Sequence, residues 1–156
     1  MKIFQPDIHY NKLNQLSILF KDYYSELKNN GVVLDLVNEG EKLWLEGLKK
    51  SLGKTSVLVL VENDGHLSGF AQGNLKLLPD YLGSLRIGVV SHFFVEENAR
   101  GGSVAAEMYL EMQDWFMQKS VHSLELQVLN KNIVAEKFWL KMGFSHELLQ
   151  MRKSFT

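Results

Sequence analysis

The sequence predicts an α+β (α/β) fold, in which helices flank a mixed, mostly antiparallel central sheet. Three features of the sequence indicate this fold. Amphipathic helical stripes come first, apolar β-type segments separated by turn signals follow, and a strand–helix–strand succession leads to a last helix. Consecutive strands joined by tight turns pair antiparallel, whereas a strand–helix–strand unit places its two strands parallel.

Two helices are predicted ahead of the first long strand. The first lies between Pro6 and Gly31, where apolar side chains recur at intervals of three and four residues. These side chains are Leu13, Leu16, Phe20, Tyr23 and Leu27. The second helix is predicted from Asn38 to Leu52, because Asn38 and Glu41 have the spacing of a capping box.

Three strands are predicted next, in antiparallel order. Val57–Val61 is a Val- and Leu-rich run that ends at the hairpin signal Asn63–Gly65. The second strand is predicted over Leu67–Leu75. A loop over Leu77–Gly83, which contains a proline, then leads to a third strand over Ile87–Val95.

The last part of the chain predicts a parallel strand pair. The turn Arg100–Ser103 opens a helix that continues to about Lys119, and Leu124–Leu129 is a short strand. A strand on either side of a helix forms a βαβ unit, so this short strand should run parallel to the strand before the turn, with a right-handed crossover. A last helix is predicted over Asn132–Met142, and His146–Lys153 is expected to close the sheet.

Length and composition predict one domain that spans residues 1–156. Apolar residues make up 46% of the chain and charged residues 22%, as in an ordinary globular protein. The formal net charge of -1 gives no broad attraction to nucleic acid or to an anionic membrane, so neither is an expected partner. The absence of cysteine excludes disulfides and an acyl group carried on an enzyme thiol. Neither a signal peptide nor an apolar stretch of about 20 residues is evident, so we expect a cytoplasmic location.

The turn at residues 100–105 is where the sequence indicates binding chemistry. At the junction of a strand and a helix, unpaired N–H groups and the positive end of the helix dipole point into one volume, which favours phosphate. Gly101 and Gly102 allow a ligand to approach the backbone, and Ala105 is too small to block it. A plain tight turn is the alternative. The glycine patterns of P-loop and dinucleotide-binding proteins do not occur.

Two sequence blocks follow one another between Val95 and Phe144. The first begins at Arg100 and ends at Ala105, and it resembles the pattern Arg/Gln-x-x-Gly-x-Gly/Ala with Ser103 in place of the middle glycine. The second resembles Asn-x-x-Ala-x-x-Phe-Tyr-x-x-x-Gly-Phe. Its matching residues are Asn132, Ala135, Phe138, Gly143 and Phe144, and Trp139 stands at the tyrosine position. Together the blocks resemble the pyrophosphate loop and the signature of the GNAT superfamily of N-acetyltransferases.

The resemblance implies the GNAT fold, acetyl-CoA as cofactor and transfer of the acetyl group to an amine. In that family coenzyme A lies where two parallel strands splay apart, its pyrophosphate rests on the loop, and its pantetheine arm pairs with a strand backbone. The implied cofactor-binding residues are Phe93, Phe94, Val95, Arg100, Gly101, Gly102, Ser103, Val104, Ala105, Asn132, Phe138 and Trp139. Some have ordinary structural alternatives, since Asn132 could cap its own helix and Phe138 could be a core side chain.

The resemblance also points to a catalytic residue. An amine attacks a thioester only when it is neutral, and a lysine-like amine is neutral in roughly one molecule in a few thousand at pH 7. His92 is the candidate general base, because it stands on the strand beside the expected gap and an unperturbed histidine has a pKa near 6.5. A histidine that only satisfies a neighbour is the alternative. Trp139 cannot supply the proton that the family's tyrosine gives to the leaving thiolate.

Rival interpretations remain open at the level of sequence. The main rival is a non-catalytic acyl-CoA-binding sensor or a degenerate family member, for which Ser103 and Trp139 are the support. A general ligand-binding domain is the second. The acceptor is expected near Asn29–Glu39 and Leu77–Gly83, where Asp35 and Glu39 could attract a cationic amine. A small molecule and a peptide both stay open as acceptors. The histidines show no metal-ligand spacing, so no metal is expected. A homodimer is a further expectation from the family resemblance.

Overall fold

The computed structural model describes all 156 residues and contains the predicted helices and strands up to α4 in the predicted order. The helices are α1 (Leu16–Asn29), α2 (Gly40–Ser51), α3 (Val104–Gln118) and α4 (Ile133–Lys141). The strands are β1 (Lys2–Phe4), β2 (Ser56–Asn63), β3 (His66–Leu77), β4 (Arg86–Val95) and β5 (Leu124–Leu126).

The strands form one sheet in the order β1-β2-β3-β4-β5. The pairs from β1 to β4 are antiparallel, and β4 pairs with β5 in parallel. The predicted fold class, a mixed and mostly antiparallel sheet with one parallel strand pair, is therefore confirmed. Strand β1 was not predicted, because three residues are too few to show a period.

Three sequence-based boundaries are wrong. Helix α2 starts at Gly40 after Glu39, which has a φ of 57° and makes no capping bond, so Asn38 and Glu41 do not form a capping box. The strand predicted over Leu124–Leu129 stops at Leu126, because the chain leaves β4 there. The segment His146–Lys153 forms no strand, and its side chains are exposed.

The sheet is buried on both faces, which explains why β2 is apolar without alternation. Leu58 and Leu60 pack with α1 and α2 on one face, whereas Val57, Val59 and Val61 pack with α3 and α4 on the other. All five side chains are at most 3% exposed. The helices therefore form one layer on each side of the sheet, and the β4–β5 junction lies between the layers.

Phe116 of α3 lies directly over glycines of the sheet. A Cβ atom added at Gly73 would come within 2.6 Å of the Phe116 ring, and one added at Gly88 would come within 2.6 Å of that ring and 2.5 Å of Leu124. Atoms that close must move apart, so these two positions leave room for the ring and for nothing larger than hydrogen. Gly88 is also the β4 residue that pairs with Leu124 of β5.

Candidate functional site

Strands β4 and β5 separate after a short paired segment. Gly88–Val90 pairs with Leu124–Leu126, and β4 then continues to Val95 without β5 as its neighbour. A cavity of about 110 Å³ opens between them. Its walls are residues 90–94 of β4, residues 126–129 at the end of β5 and after it, Tyr23, Glu26 and Leu27 of α1 with the C-cap residue Asn30, and Asn132, Ala135 and Trp139 at α4. The splayed pair expected from the resemblance is therefore present.

A β-bulge marks the point where the strands part. Gln72 of β3 pairs with His92 and Gly73 pairs with Val90, so Ser91 is an extra residue in β4. Asn74 donates a side-chain hydrogen bond to Ser91 and fixes the bulge. Bulges bend a strand and re-aim its side chains. We could not predict this one, because Ser91 is equally compatible with a regular strand.

The turn between β4 and α3 presents unpaired amides. Gly101 has a φ of 117° and Gly102 a φ of 55°, a backbone path that favours glycine. The N–H groups of residues 101–106 donate to no backbone or side-chain acceptor in the protein. These amides lie at the N-terminus of α3, where the helix dipole adds positive potential. The turn is therefore suited to an anion such as a diphosphate.

Polar side chains of the turn make contacts within the protein. Arg100 donates from Nε to the Val95 carbonyl at 2.7 Å and from Nη2 to the Glu26 carboxylate at 2.5 Å. It therefore braces the turn against β4 and α1. The Ser103 hydroxyl donates to the Glu107 carboxylate and makes no capping bond to the start of α3.

His92 lies in an aromatic surrounding on the α1–α2 face of the sheet. Its ring centroid is 5.2 Å from that of Phe20, 5.4 Å from Tyr23 and 6.1 Å from Trp44. The His92 Nδ1 atom lies 3.2 Å from the Tyr23 hydroxyl oxygen, and both residues line the cavity. The sequence places Tyr23 in the apolar stripe of the first helix, and nothing in the sequence distinguishes it from a core tyrosine.

Burial determines the charge state of both residues. Desolvation lowers the pKa of His92 from 6.5 to about 4, so the imidazole is neutral at pH 7. Desolvation, with smaller contributions from Tyr24 and Glu26, raises the pKa of the Tyr23 hydroxyl, so it keeps its proton. The unperturbed histidine pKa used for the sequence-based argument therefore does not apply to His92.

Acidification should destabilise the protein through His92. Its folded-state pKa lies below the unfolded value, so between pH 6.5 and about pH 4 the unfolded chain binds a proton that the folded chain does not. The free energy of unfolding should fall with pH in this window, by about 2 kcal/mol at pH 5. The His92→Gln variant lacks this component. Urea denaturation at pH 7.5 and pH 5 measures the unfolding free energies of both proteins. Between these pH values the wild type should lose about 2 kcal/mol more than the variant. An equal loss in both proteins would contradict the buried neutral imidazole.

Helix α4 is held at both ends by residues of the second sequence block. The Asn132 side chain accepts a hydrogen bond from the Ala135 amide at 3.1 Å, so it caps its own helix beside the cavity. After the helix, the Gly143 amide donates to the Leu140 carbonyl and the Phe144 amide to the Trp139 carbonyl, at 3.1 Å each. These are the two bonds of a Schellman motif.

The aromatic residues of α4 pack onto β4. The Phe93 ring centroid lies 5.8 Å from Phe138 and 5.1 Å from Trp139. Trp139 is 7% exposed and also contacts Tyr109 and Phe144. Trp139 therefore serves as a core side chain and as part of the cavity wall.

The remaining candidate residues lie apart from the cavity. Asp35 pairs with Lys28 at 2.6 Å and Glu39 with Lys42 at 2.9 Å, so lysines of the same chain already neutralise both carboxylates.

No group of three or more His, Asp or Glu side chains is arranged to hold a metal ion. No helix combines the length and the hydropathy needed to cross a bilayer.

Comparison with known proteins gives a family and a fold. Residues 16–144 match the sequence profile described as the acetyltransferase (GNAT) family. No curated protein sequence matches the chain. The crystal structure of a probable acetyltransferase superposes with a TM-score of 0.74 at 22% identity, covering 100% of this chain and 97% of the other.

Two further solved structures share the fold. An aminoglycoside N-acetyltransferase, AAC(6')-Iy, in complex with CoA gives a TM-score of 0.77 at 16% identity, over 99% of this chain and 95% of the other. Glucosamine-6-phosphate N-acetyltransferase from Arabidopsis thaliana gives 0.69 at 18% identity, over 99% and 98%. The profile match begins at the first residue of α1 and ends at Phe144, the last residue of the Schellman motif.

Proposed function

Because this chain belongs to the acetyltransferase (GNAT) family, we propose that it is an N-acetyltransferase that moves an acetyl group directly from acetyl-CoA to a primary amine in a ternary complex. One observation carries the proposal. The unpaired amides of residues 101–106 follow the same strand, β4, whose separation from β5 opens the cavity. Acetyl-CoA contains both a diphosphate and a thioester. The unpaired amides suit the diphosphate, and the cavity suits the thioester.

The residues present fit acetyl-CoA. The amides of Gly101, Gly102, Ser103, Val104 and Ala105 would hold the diphosphate. Beyond Val90, β4 has no strand partner on its β5 side, so its backbone near Phe93, Phe94 and Val95 would pair with the pantetheine arm. Trp139 would form part of the wall beside the thioester, and Phe138 would support this wall through its contact with Phe93. Asn132 caps α4 and would thereby fix where this helix begins at the cavity. Acetyl-CoA supplies an activated acyl group on a thiol leaving group.

We propose direct transfer, and the chain has no cysteine that could carry the acetyl group as a thioester. His92 would accept the proton of the attacking amine as the new N–C bond forms, since it lines the cavity at the bulge and is neutral at pH 7. Glu26 also lines the cavity, but its carboxylate is paired with Arg100. The acceptor we propose is a soluble small molecule or peptide that carries a primary amine.

A non-catalytic acyl-CoA sensor is the second candidate. Trp139 favours it, because an indole cannot supply the proton of the family's tyrosine. A screen of amines with acetyl-CoA, read by thiol release and by the mass of the acetylated product, separates the two. An acetylated product with at least one amine supports the enzyme. Binding of CoA with no thiol released from acetyl-CoA in the presence of any amine supports the sensor.

Binding of coenzyme A should depend on the charge at residue 102. Gly102 is left-handed, with φ 55° and nothing within 4 Å of its Cβ position, so asparagine and aspartate both fit there. A carboxylate beside the diphosphate should raise the Kd of Gly102→Asp about 100-fold relative to Gly102→Asn, equivalent to about 3 kcal/mol. Isothermal titration calorimetry with coenzyme A measures this ratio.

Gly53 offers a matched control. It also has a left-handed φ, 78°, and nothing within 4 Å of its Cβ position, but it lies in the turn between α2 and β2. Gly53→Asp and Gly53→Asn should bind coenzyme A equally well. If Gly102→Asp and Gly102→Asn also bind equally, the diphosphate does not lie at this turn.

A further inference from the structure

We propose that Tyr23 and His92 form a proton relay that carries the proton of the attacking amine to the sulfur of the leaving thiolate. This inference rests on the proposed acetyltransferase function. It identifies a group that takes the place of the missing acid at Trp139, and this group comes from α1, on the opposite side of the sheet from α4.

The geometry of the pair is the first argument. The Tyr23 hydroxyl lies 3.2 Å from His92 Nδ1, a distance at which either group can donate a hydrogen bond to the other. Both side chains line the cavity between β4 and β5, where the thioester would lie. A proton that reaches His92 therefore has one direct path to a second exchangeable group in the same cavity.

The surroundings are the second argument, because they disfavour a histidine that keeps the proton. Around the pair stand Phe20, Trp44, Phe70 and Phe94, and no carboxylate contacts the imidazole to stabilise its cation. Glu26, the acidic residue of α1 that lines the cavity, is paired with Arg100. Apolar surroundings disfavour a charged imidazole. If one ring nitrogen accepts a proton while the other gives one up, the ring carries no net charge.

The step balances without any added reactant. The amine nitrogen bonds to the carbonyl carbon of the thioester, and the carbon–sulfur bond breaks. The amine proton passes to His92 Nε2, the His92 Nδ1 proton passes to the Tyr23 oxygen, and the original Tyr23 proton passes to the sulfur. Both residues end neutral, with the other histidine tautomer, and exchange with water restores the starting tautomer after product leaves.

The Tyr23→Phe variant tests the relay, because it keeps the ring that packs on Phe70 and Phe94 and removes the hydroxyl. Its kcat should fall about 100-fold while the KM for acetyl-CoA stays within two-fold. In mixtures of H2O and D2O, the wild-type kcat should curve with deuterium content, since more than one proton moves in the transition state. In Tyr23→Phe the dependence should be linear.

The neighbouring tyrosine provides the control. The Tyr24 hydroxyl donates to the Leu34 carbonyl at 2.5 Å and does not line the cavity, so Tyr24→Phe should keep the wild-type kcat and the curved dependence. A Tyr23→Phe variant with wild-type kcat, or one that is slow but retains the curve, overturns the relay and leaves the acetyltransferase standing. A wild-type protein that releases no thiol with any amine overturns both proposals.

Discussion

The His92→Gln variant should turn over its amine acceptor about 1000-fold more slowly than the wild-type protein and bind acetyl-CoA normally. A lysine-like amine is almost fully protonated at pH 7, so its attack depends on removal of a proton. Glutamine is similar in size to histidine and cannot accept that proton. Steady-state kinetics at pH 7 should therefore show a lower kcat with an unchanged KM for acetyl-CoA.

Two further measurements make this result specific. The rate of His92→Gln should rise with pH more steeply than that of the wild type, because hydroxide replaces the missing base. His66→Gln is the control, since the exposed His66 side chain pairs with Glu96 at 3.1 Å and does not line the cavity. A His92→Gln variant within three-fold of the wild-type kcat would show that another group accepts the proton.

The Trp139→Ala variant should lose about 4 kcal/mol of unfolding free energy, within the range observed when large buried aromatic residues are truncated. Trp139 is 7% exposed and packs against the rings of Phe93, Tyr109 and Phe144. Its loss would leave a void beside β4 and remove the ring contact of the Schellman motif. Urea denaturation followed by circular dichroism measures the change.

Val134 is the matched control on the same helix. Its side chain is 82% exposed, so Val134→Ala should change the unfolding free energy by no more than about 0.5 kcal/mol. A loss below about 1 kcal/mol for Trp139→Ala would contradict the packing described here. In that case Trp139 would act mainly as a cavity wall and not as a core residue.

Most of the fold was predictable where local signals agree. Strands β2, β3 and β4 combine apolar runs with strong turn signals, and α3 combines a glycine turn with a helical period. The errors fall where local signals compete with tertiary structure. Asn38 and Glu41 have the spacing of a capping box, but the chain reaches α2 through a left-handed Glu39. His146–Lys153 contains the apolar residues Leu148, Leu149 and Met151, yet β5 is only three residues long and offers a short edge for pairing.

The candidate site was predictable in part, for a related reason. The loop at residues 100–105 is contiguous in sequence, so its glycines and the following helix could be read together. The surroundings of His92 are not contiguous, because Phe20, Tyr23 and Trp44 come from α1 and α2, far earlier in the chain. A single sequence contains no signal for such contacts. The shift of the His92 pKa depends on these contacts, so it could not be predicted from the sequence.

The close packing of Phe116 on Gly73 and Gly88 affects how mutational data on this protein should be interpreted. In a saturation scan scored by activity, both glycines should rank among the least tolerant positions, beside the residues of the turn and of the bulge. Their intolerance would arise from expression and solubility, because any side chain there forces α3 away from the sheet. A scan that also measures protein abundance would separate these two positions from those that contact a substrate.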